Sequence, residues 1–202
     1  MTSAPTSAFV QQLTRYAAAT ATCADLYAYA FYPMIRDGDE KFICCVHGGQ
    51  DMEAYLMAAE LLRGFGVDLT GLVERPISER GLERTEVLAG KLSWPERAAF
   101  SALFERALLI QLHDLARNDH APTAQMARSI IPREEKHVAH GIALLRKAAS
   151  SADTRAAAQD AVHALWPPAL AVLGTEDARA ALLDAARSEV EPLGLAIGPR
   201  VS

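Results

Sequence analysis

Glu134-x-x-His137 constrains this chain more than any other stretch. On a helix, side chains three apart point the same way, so a carboxylate and an imidazole face a common point. Iron, manganese and zinc accept that mixture of oxygen and nitrogen ligands. The side that the two residues share also carries Ile130, Ile131, Val138, Gly141 and Leu145. An ionised glutamate on an apolar face is costly without a partner. Either a cation meets the pair, or it is satisfied as a helical ion pair or lies at an exposed edge.

A second acid in an apolar stripe stands one helix earlier. Ser93-Trp94-Pro95-Glu96 reads as a helix start, with a capping box and a proline in the first turn. The helix that it opens runs to about Asn118. In it Glu105 is surrounded at helical spacing by Ala98, Ala102, Leu108, Leu109 and Leu112. Either its partner is a metal or a neighbouring Arg97 or Arg106, or it lies at a solvated helix edge. Pro122 opens the next helix, which runs to about Ala149 and which Pro132 is expected to interrupt and bend. His140 is a further ligand or an orienting partner of the others.

Two earlier helices precede these. The first, capped by Thr6 and Ser7, runs from Ala8 to about Met34 with Phe9, Leu13, Tyr16, Tyr27 and Phe31 on one stripe. Asp37-Gly38-Asp39 marks the turn, and the second helix runs from about Glu40 to Phe65. Its His47-Gly48-Gly49-Gln50-Asp51-Met52-Glu53 segment is unusual, because glycine inside a helix costs about 1 kcal/mol relative to alanine. The pair Gly48-Gly49 admits either a close neighbouring helix or a ligand. Asp51 and Glu53 are candidate metal ligands from this helix. Asp68 to Leu92 is a long connection that holds a short helix or forms a lid. A fifth helix starts near Asp153, is broken by Trp166-Pro167-Pro168 and ends at Gly174. Thr175 caps a last helix to about Ser188, and the tail after Pro192 is expected to be irregular.

The fold class expected is all-α. Two helical hairpins joined by a long connection give a four-helix bundle of the ferritin-like kind. We expect one ferritin-like helical domain over residues 1–202, with the core bundle at about 7–150 and additional C-terminal helices at about 153–190. Ala and Leu dominate the composition, which favours helices. A net charge of −5 opposes a nucleic-acid partner. No apolar run reaches membrane-spanning length. Three cysteines, with Cys44 and Cys45 adjacent, form no disulfide framework. They fit packing roles in a reducing, cytoplasmic protein. No phosphate-binding glycine loop and no nucleophile motif occurs.

Glu105, the run Glu134-Glu135-Lys136-His137-Val138-Ala139-His140-Gly141, and Trp166-Pro167-Pro168-Ala169-Leu170 resemble the phenylacetic acid catabolic family. These are the ferritin-like subunits of phenylacetyl-CoA epoxidase. Ala58-Ala59-Glu60-Leu61 looks like part of that family's second helix. The resemblance implies a di-iron oxygenase fold in catalytic members and a metal-free scaffold in structural ones. The chain departs from the catalytic pattern in its first half. The first helix has no glutamate, and Gly48 and Asp51, or Gln50 and Glu53, stand where Glu and His are expected. The metal ligands expected are therefore Glu105, Glu134, His137, Asp51 and Glu53. The cofactor implied is iron, as one or two ions or none. The implied activity is oxygen activation by an iron oxygenase or oxidase, with an acyl-CoA substrate implied by the family alone. The alternatives are a structural subunit with a degenerate site, or an iron-binding protein without an organic substrate. The implied partners are a larger ferritin-like catalytic subunit and a reductase, or a second copy of this chain.

Overall fold

A computed structural model describes residues 6–90 and 92–198. Helix α1 (Ser7–Asp25) begins at Thr6, whose side chain accepts the Phe9 N–H at 3.3 Å. It continues without a break into a π-helical stretch, Leu26–Phe31, and a 3-10 turn, Tyr32–Met34. Asp37 caps α2 (Gly38–Gly64) by accepting the Glu40 N–H. The short turn between α1 and α2 makes them an antiparallel pair, packed along their length.

The second hairpin is built in the same way. Helix α3 (Trp94–Ala99) starts at Ser93, whose N–H donates to Glu96 Oε2 at 2.7 Å to complete the capping box. It runs through a second π-helical stretch, Phe100–Glu105, into α4 (Arg106–Leu115). Helix α5 (Ala121–Ser150) returns along it and also packs on α2, which closes the four-helix bundle. Helix α6 (Ala152–Val172) covers α3, the second π stretch and α5, while α7 (Glu176–Glu189) packs on α4. No strand occurs among the described residues, so the fold is all-α and ferritin-like.

The connection between the hairpins is a series of turns with one 3-10 turn, Ile77–Glu79. It reverses direction at Gly66, Gly71 and Gly81, all at positive φ. Leu72, Leu82, Leu88 and Leu92 anchor it by burial. Arg80 pins it to the bundle by pairing with Asp25 and donating to the carbonyls of Val73 and Arg75 at 3.1 Å each.

Two expected breaks do not occur. Helix α5 passes through Pro132 and α6 through Pro167 and Pro168. Pro132 is exposed, so the carbonyl it fails to serve lies on the outer face. In α6, Trp166, Pro168, Ala169 and Val172 are buried against the bundle, and that packing outweighs the lost donors. The tail forms a 3-10 turn, Glu191–Leu193, ending at left-handed Gly194. The polar start and the last tail residues, 1–5 and 199–202, lie outside the described residues.

Candidate metal centre

Asp51 of α2, Glu105 at the end of the second π stretch, and Glu134 and His137 of α5 meet inside the bundle. One ligand atom from each lies within 4.8 Å of all the others. All four residues are at most 2% exposed. His137 Nδ1 lies 3.8 Å from Asp51 Oδ1, 3.6 Å from Glu105 Oε1 and 3.7 Å from Glu134 Oε2. These separations are too long for hydrogen bonds. They are short enough for one ion to span with bonds of about 2.0–2.2 Å.

Several buried polar atoms here have no hydrogen-bond partner: Asp51 Oδ2, Glu105 Oε2, Glu134 Oε1 and His137 Nδ1. Buried polar groups are ordinarily paired, and each exception calls for an explanation. A cation between them supplies one. Burial pushes the Asp51 carboxyl well up, and the Glu134 and Glu105 carboxylates push it further. Burial and Glu105 do the same to Glu134. Glu105 behaves oppositely: burial alone would raise it, but the His137 imidazole and the Arg97 guanidinium bring it down to about 2. Carboxyls crowded together in a low-dielectric interior are driven apart in this way, because they cannot all ionise at once.

The imidazole is oriented from its other side. His137 Nε2–H donates to Gln50 Oε1 at 2.8 Å, which leaves the Nδ1 lone pair directed at the three carboxylates. The His47 ring stacks on the His137 ring, with centroids 3.8 Å apart. Burial, with His137 beside it, lowers the His47 imidazole to about 3, so this ring stays neutral.

A network holds Glu105 from the opposite side. Tyr27 of the first π stretch donates its hydroxyl proton to Glu105 Oε1 at 2.7 Å. The same hydroxyl lies 3.1 Å from Ser101 Oγ and 3.2 Å from His47 Nδ1. Arg97 Nη1 donates to Ser101 Oγ at 2.5 Å. The guanidinium lies over the rings of Tyr27 and Phe31, 4.7 and 5.4 Å from their centroids.

Of the residues singled out in the sequence, Asp51, Glu105, Glu134 and His137 come together. Glu53 does not join them; it is exposed and paired with Arg133. Arg106 pairs with Glu189, so neither it nor Arg97 forms an ion pair with Glu105. His140 hydrogen-bonds Glu40 at 2.8 Å and touches the His47 ring edge-on. Cys44 is buried and donates to the Tyr27 carbonyl at 3.3 Å, whereas Cys45 is exposed. Gly48 serves close approach: a Cβ there would lie 2.9 Å from Tyr27 Cβ. Gly49 has nothing near it and opens onto the surface. The orienting role of Gln50 and the network of Tyr27, Ser101 and Arg97 were not foreseen. The one available signal was Arg97, Ser101 and Glu105 at successive spacings of four on one helix face.

No curated protein matches the chain. Residues 49–195 match a family model described as phenylacetic acid catabolic protein, which takes in Asp51, Glu105, Glu134 and His137. That span covers α2 from Gly49 onward, the second hairpin and the helices that cover it. With well over half of the sequence and the whole carboxylate–histidine group inside the match, the chain belongs to the phenylacetic acid catabolic protein family.

Proposed function

We propose that this protein is an iron-dependent oxygenase or oxidase of phenylacetate catabolism, with its metal held by Asp51, Glu105, Glu134 and His137. The observation that carries this reading is the buried group itself: carboxylate oxygens of Asp51, Glu105 and Glu134 lie 3.6–3.8 Å from His137 Nδ1, which has no hydrogen-bond partner, and each carboxyl keeps a further oxygen without one. Three oxygens and one imidazole nitrogen suit iron. Bound iron would supply the one-electron and dioxygen chemistry that side chains lack.

The chain's own residues do the rest. Gln50 fixes the tautomer of His137. Tyr27 holds Glu105 by one oxygen through its hydroxyl proton. The walls of α1, α4 and α5 exclude water, which keeps the electrostatics of the group strong. A cleft of about 510 Å³, lined by Tyr27, Tyr29, Gly48, Gly49 and Met52 among others, adjoins Tyr27 from outside the bundle. Its apolar lining suits the aryl or acyl part of a substrate, an acyl-CoA by family likeness. In this reading the protein works in the cytoplasm with a reductase as electron donor.

A second reading, a structural subunit docked to a larger ferritin-like chain, draws on a different observation. Helix α1 offers no glutamate, its single acid Asp25 is engaged with Arg80, and Tyr29, Phe42 and Leu56 are exposed on the first hairpin. Elemental analysis of protein from iron-rich culture, repeated on Glu134→Ala, separates the two. The oxygenase reading expects iron in the first, none in the second, and reductant-driven oxygen consumption only with iron. No metal in either, together with co-purification of a larger helical subunit, would replace it by the scaffold reading.

A further inference from the structure

A two-ion site in a ferritin-like bundle takes a carboxylate from each of two helices and a Glu-x-x-His from each of the others. Here α5 keeps its pair, Glu134 and His137, and the preceding helix keeps Glu105. In α2 the same spacing falls on Gly48 and Asp51, and Gly48 has no side chain. Helix α1 and its π stretch contain a single acid, Asp25, which is engaged with Arg80.

The room left by these absences is filled. Tyr27 packs against Gly48 so closely that residue 48 can bear no Cβ without displacement. Its hydroxyl occupies one oxygen of Glu105. Two hydrogen bonds further along lies Arg97, which is 0% exposed. A guanidinium cannot shed its charge. A buried charge is costly unless compensated. Yet no carboxylate forms an ion pair with Arg97 among the described residues, and its Nε and Nη2 have no partner. Its countercharge is the carboxylate group as a whole. Three carboxylates against one guanidinium leave two negative charges, the charge of one divalent cation. A second divalent ion would turn the excess positive.

We propose that this centre takes one divalent cation per chain, and that Tyr27 and Arg97 stand in the place of a second ion, the guanidinium as its fixed positive charge. The proposal rests on the metal-centre reading above. Neither Tyr27 nor Arg97 is a ligand; both are positioning residues, Tyr27 filling the space beside Gly48 and Arg97 supplying the fixed charge.

The test uses the full chain stripped of metal and titrated with Mn²⁺. Elemental analysis after desalting gives the stoichiometry, and electron paramagnetic resonance tells an isolated ion, with its hyperfine splitting, from a coupled and broadened pair. One ion per chain with the isolated-ion signal supports the proposal. Two ions per chain, or a coupled signal, overturns it while leaving the metal centre intact. No binding at all overturns the metal centre itself and the proposal with it. Arg97→Met adds a test of the charge. Removing the guanidinium should tighten Mn²⁺ binding by at least ~10-fold with stoichiometry still one. Unchanged or weaker affinity in a variant with wild-type helicity would refute the charge role. Should that variant fail to fold, the wild-type stoichiometry and spectrum still decide.

Discussion

At the scale of single residues, Gln50 matters out of proportion to its ordinary chemistry. It neither bears charge nor touches the carboxylates, yet its carbonyl oxygen fixes which His137 nitrogen faces them. Gln50→Leu keeps the bulk and removes the acceptor. Losing such an orienting partner typically weakens metal binding by about 10–100-fold. Competition against a chelator should read that loss, and Gln50→Glu should restore binding. Proton linkage gives a second expectation for the metal-free chain. Asp51 and Glu134 titrate well above their ordinary values of 3.8 and 4.5. From those values upward the folded chain holds protons that the unfolded chain has lost, so stability falls as pH rises. His47, lowered from 6.5 to about 3, acts oppositely within that interval. Two carboxyls outweigh one imidazole, so between pH 4.5 and 6.5 the urea midpoint of the metal-free chain should drop as the pH rises. A flat or rising midpoint there would contradict the protonation assigned to the pair. The positions of Glu105, Glu134 and His137 in the buried group were legible because each is a polar residue set in an apolar helical stripe. Asp51 and Glu53 were not separable in the same way. Residues two apart point to different faces, and only the rotation of α2 within the bundle decides which one turns inward.

At the scale of elements, the two π-helical stretches hold much of the site. Leu26–Phe31 presents Tyr27, and Phe100–Glu105 presents Ser101 and Glu105. Widened turns inside α-helices occur frequently at functional sites. Nothing in the sequence marks either one, because six residues of π-helix show the same apolar spacing as an α-helix of that length. The helix starts were legible, since Thr6, Ser93 and Thr175 carry their capping chemistry locally. The prolines misled for the opposite reason: their local cost is real, but packing of the surrounding face decides the outcome. Gly141 joins the second π stretch to α5. A Cβ there would lie 2.4 Å from Ser101 Cβ and 2.7 Å from the Ala102 nitrogen. Backbone cannot rotate away as a flexible side chain can. Gly141→Ala should therefore cost at least the roughly 1–3 kcal/mol usual for overpacking, despite alanine's better helix propensity. A thermal or urea midpoint measures it. A neutral or stabilising effect would mean that α5 lies further from the π stretch than described.

At the scale of the whole molecule, the bundle was legible from two hairpins and a long connection, whereas the path of that connection was not. Its anchoring depends on Arg80 finding Asp25 far away in sequence, which no local pattern announces. The metal centre joins the same distant parts. Asp51, Glu105, and the Glu134–His137 pair come from three separate helical segments, so an ion there cross-links both hairpins. Without it, the three buried carboxyls stay together only because Asp51 and Glu134 hold protons that they would lose in water, and that opposes folding. Binding to the folded state alone stabilises by about 2.7 kcal/mol when free metal is 100 times its dissociation constant. Glu134→Gln separates these effects. It removes the buried carboxyl that must hold its proton and keeps the shape, so above the ordinary carboxyl range the metal-free variant should melt above the metal-free wild type. It also loses a ligand, so added metal should raise its midpoint little or not at all, while the wild type rises by several degrees. The order of the midpoints therefore reverses when metal is added. If the two proteins instead keep the same order with and without metal, Glu134 is neither a buried carboxyl that strains the fold nor a ligand whose loss forfeits the stabilisation by metal.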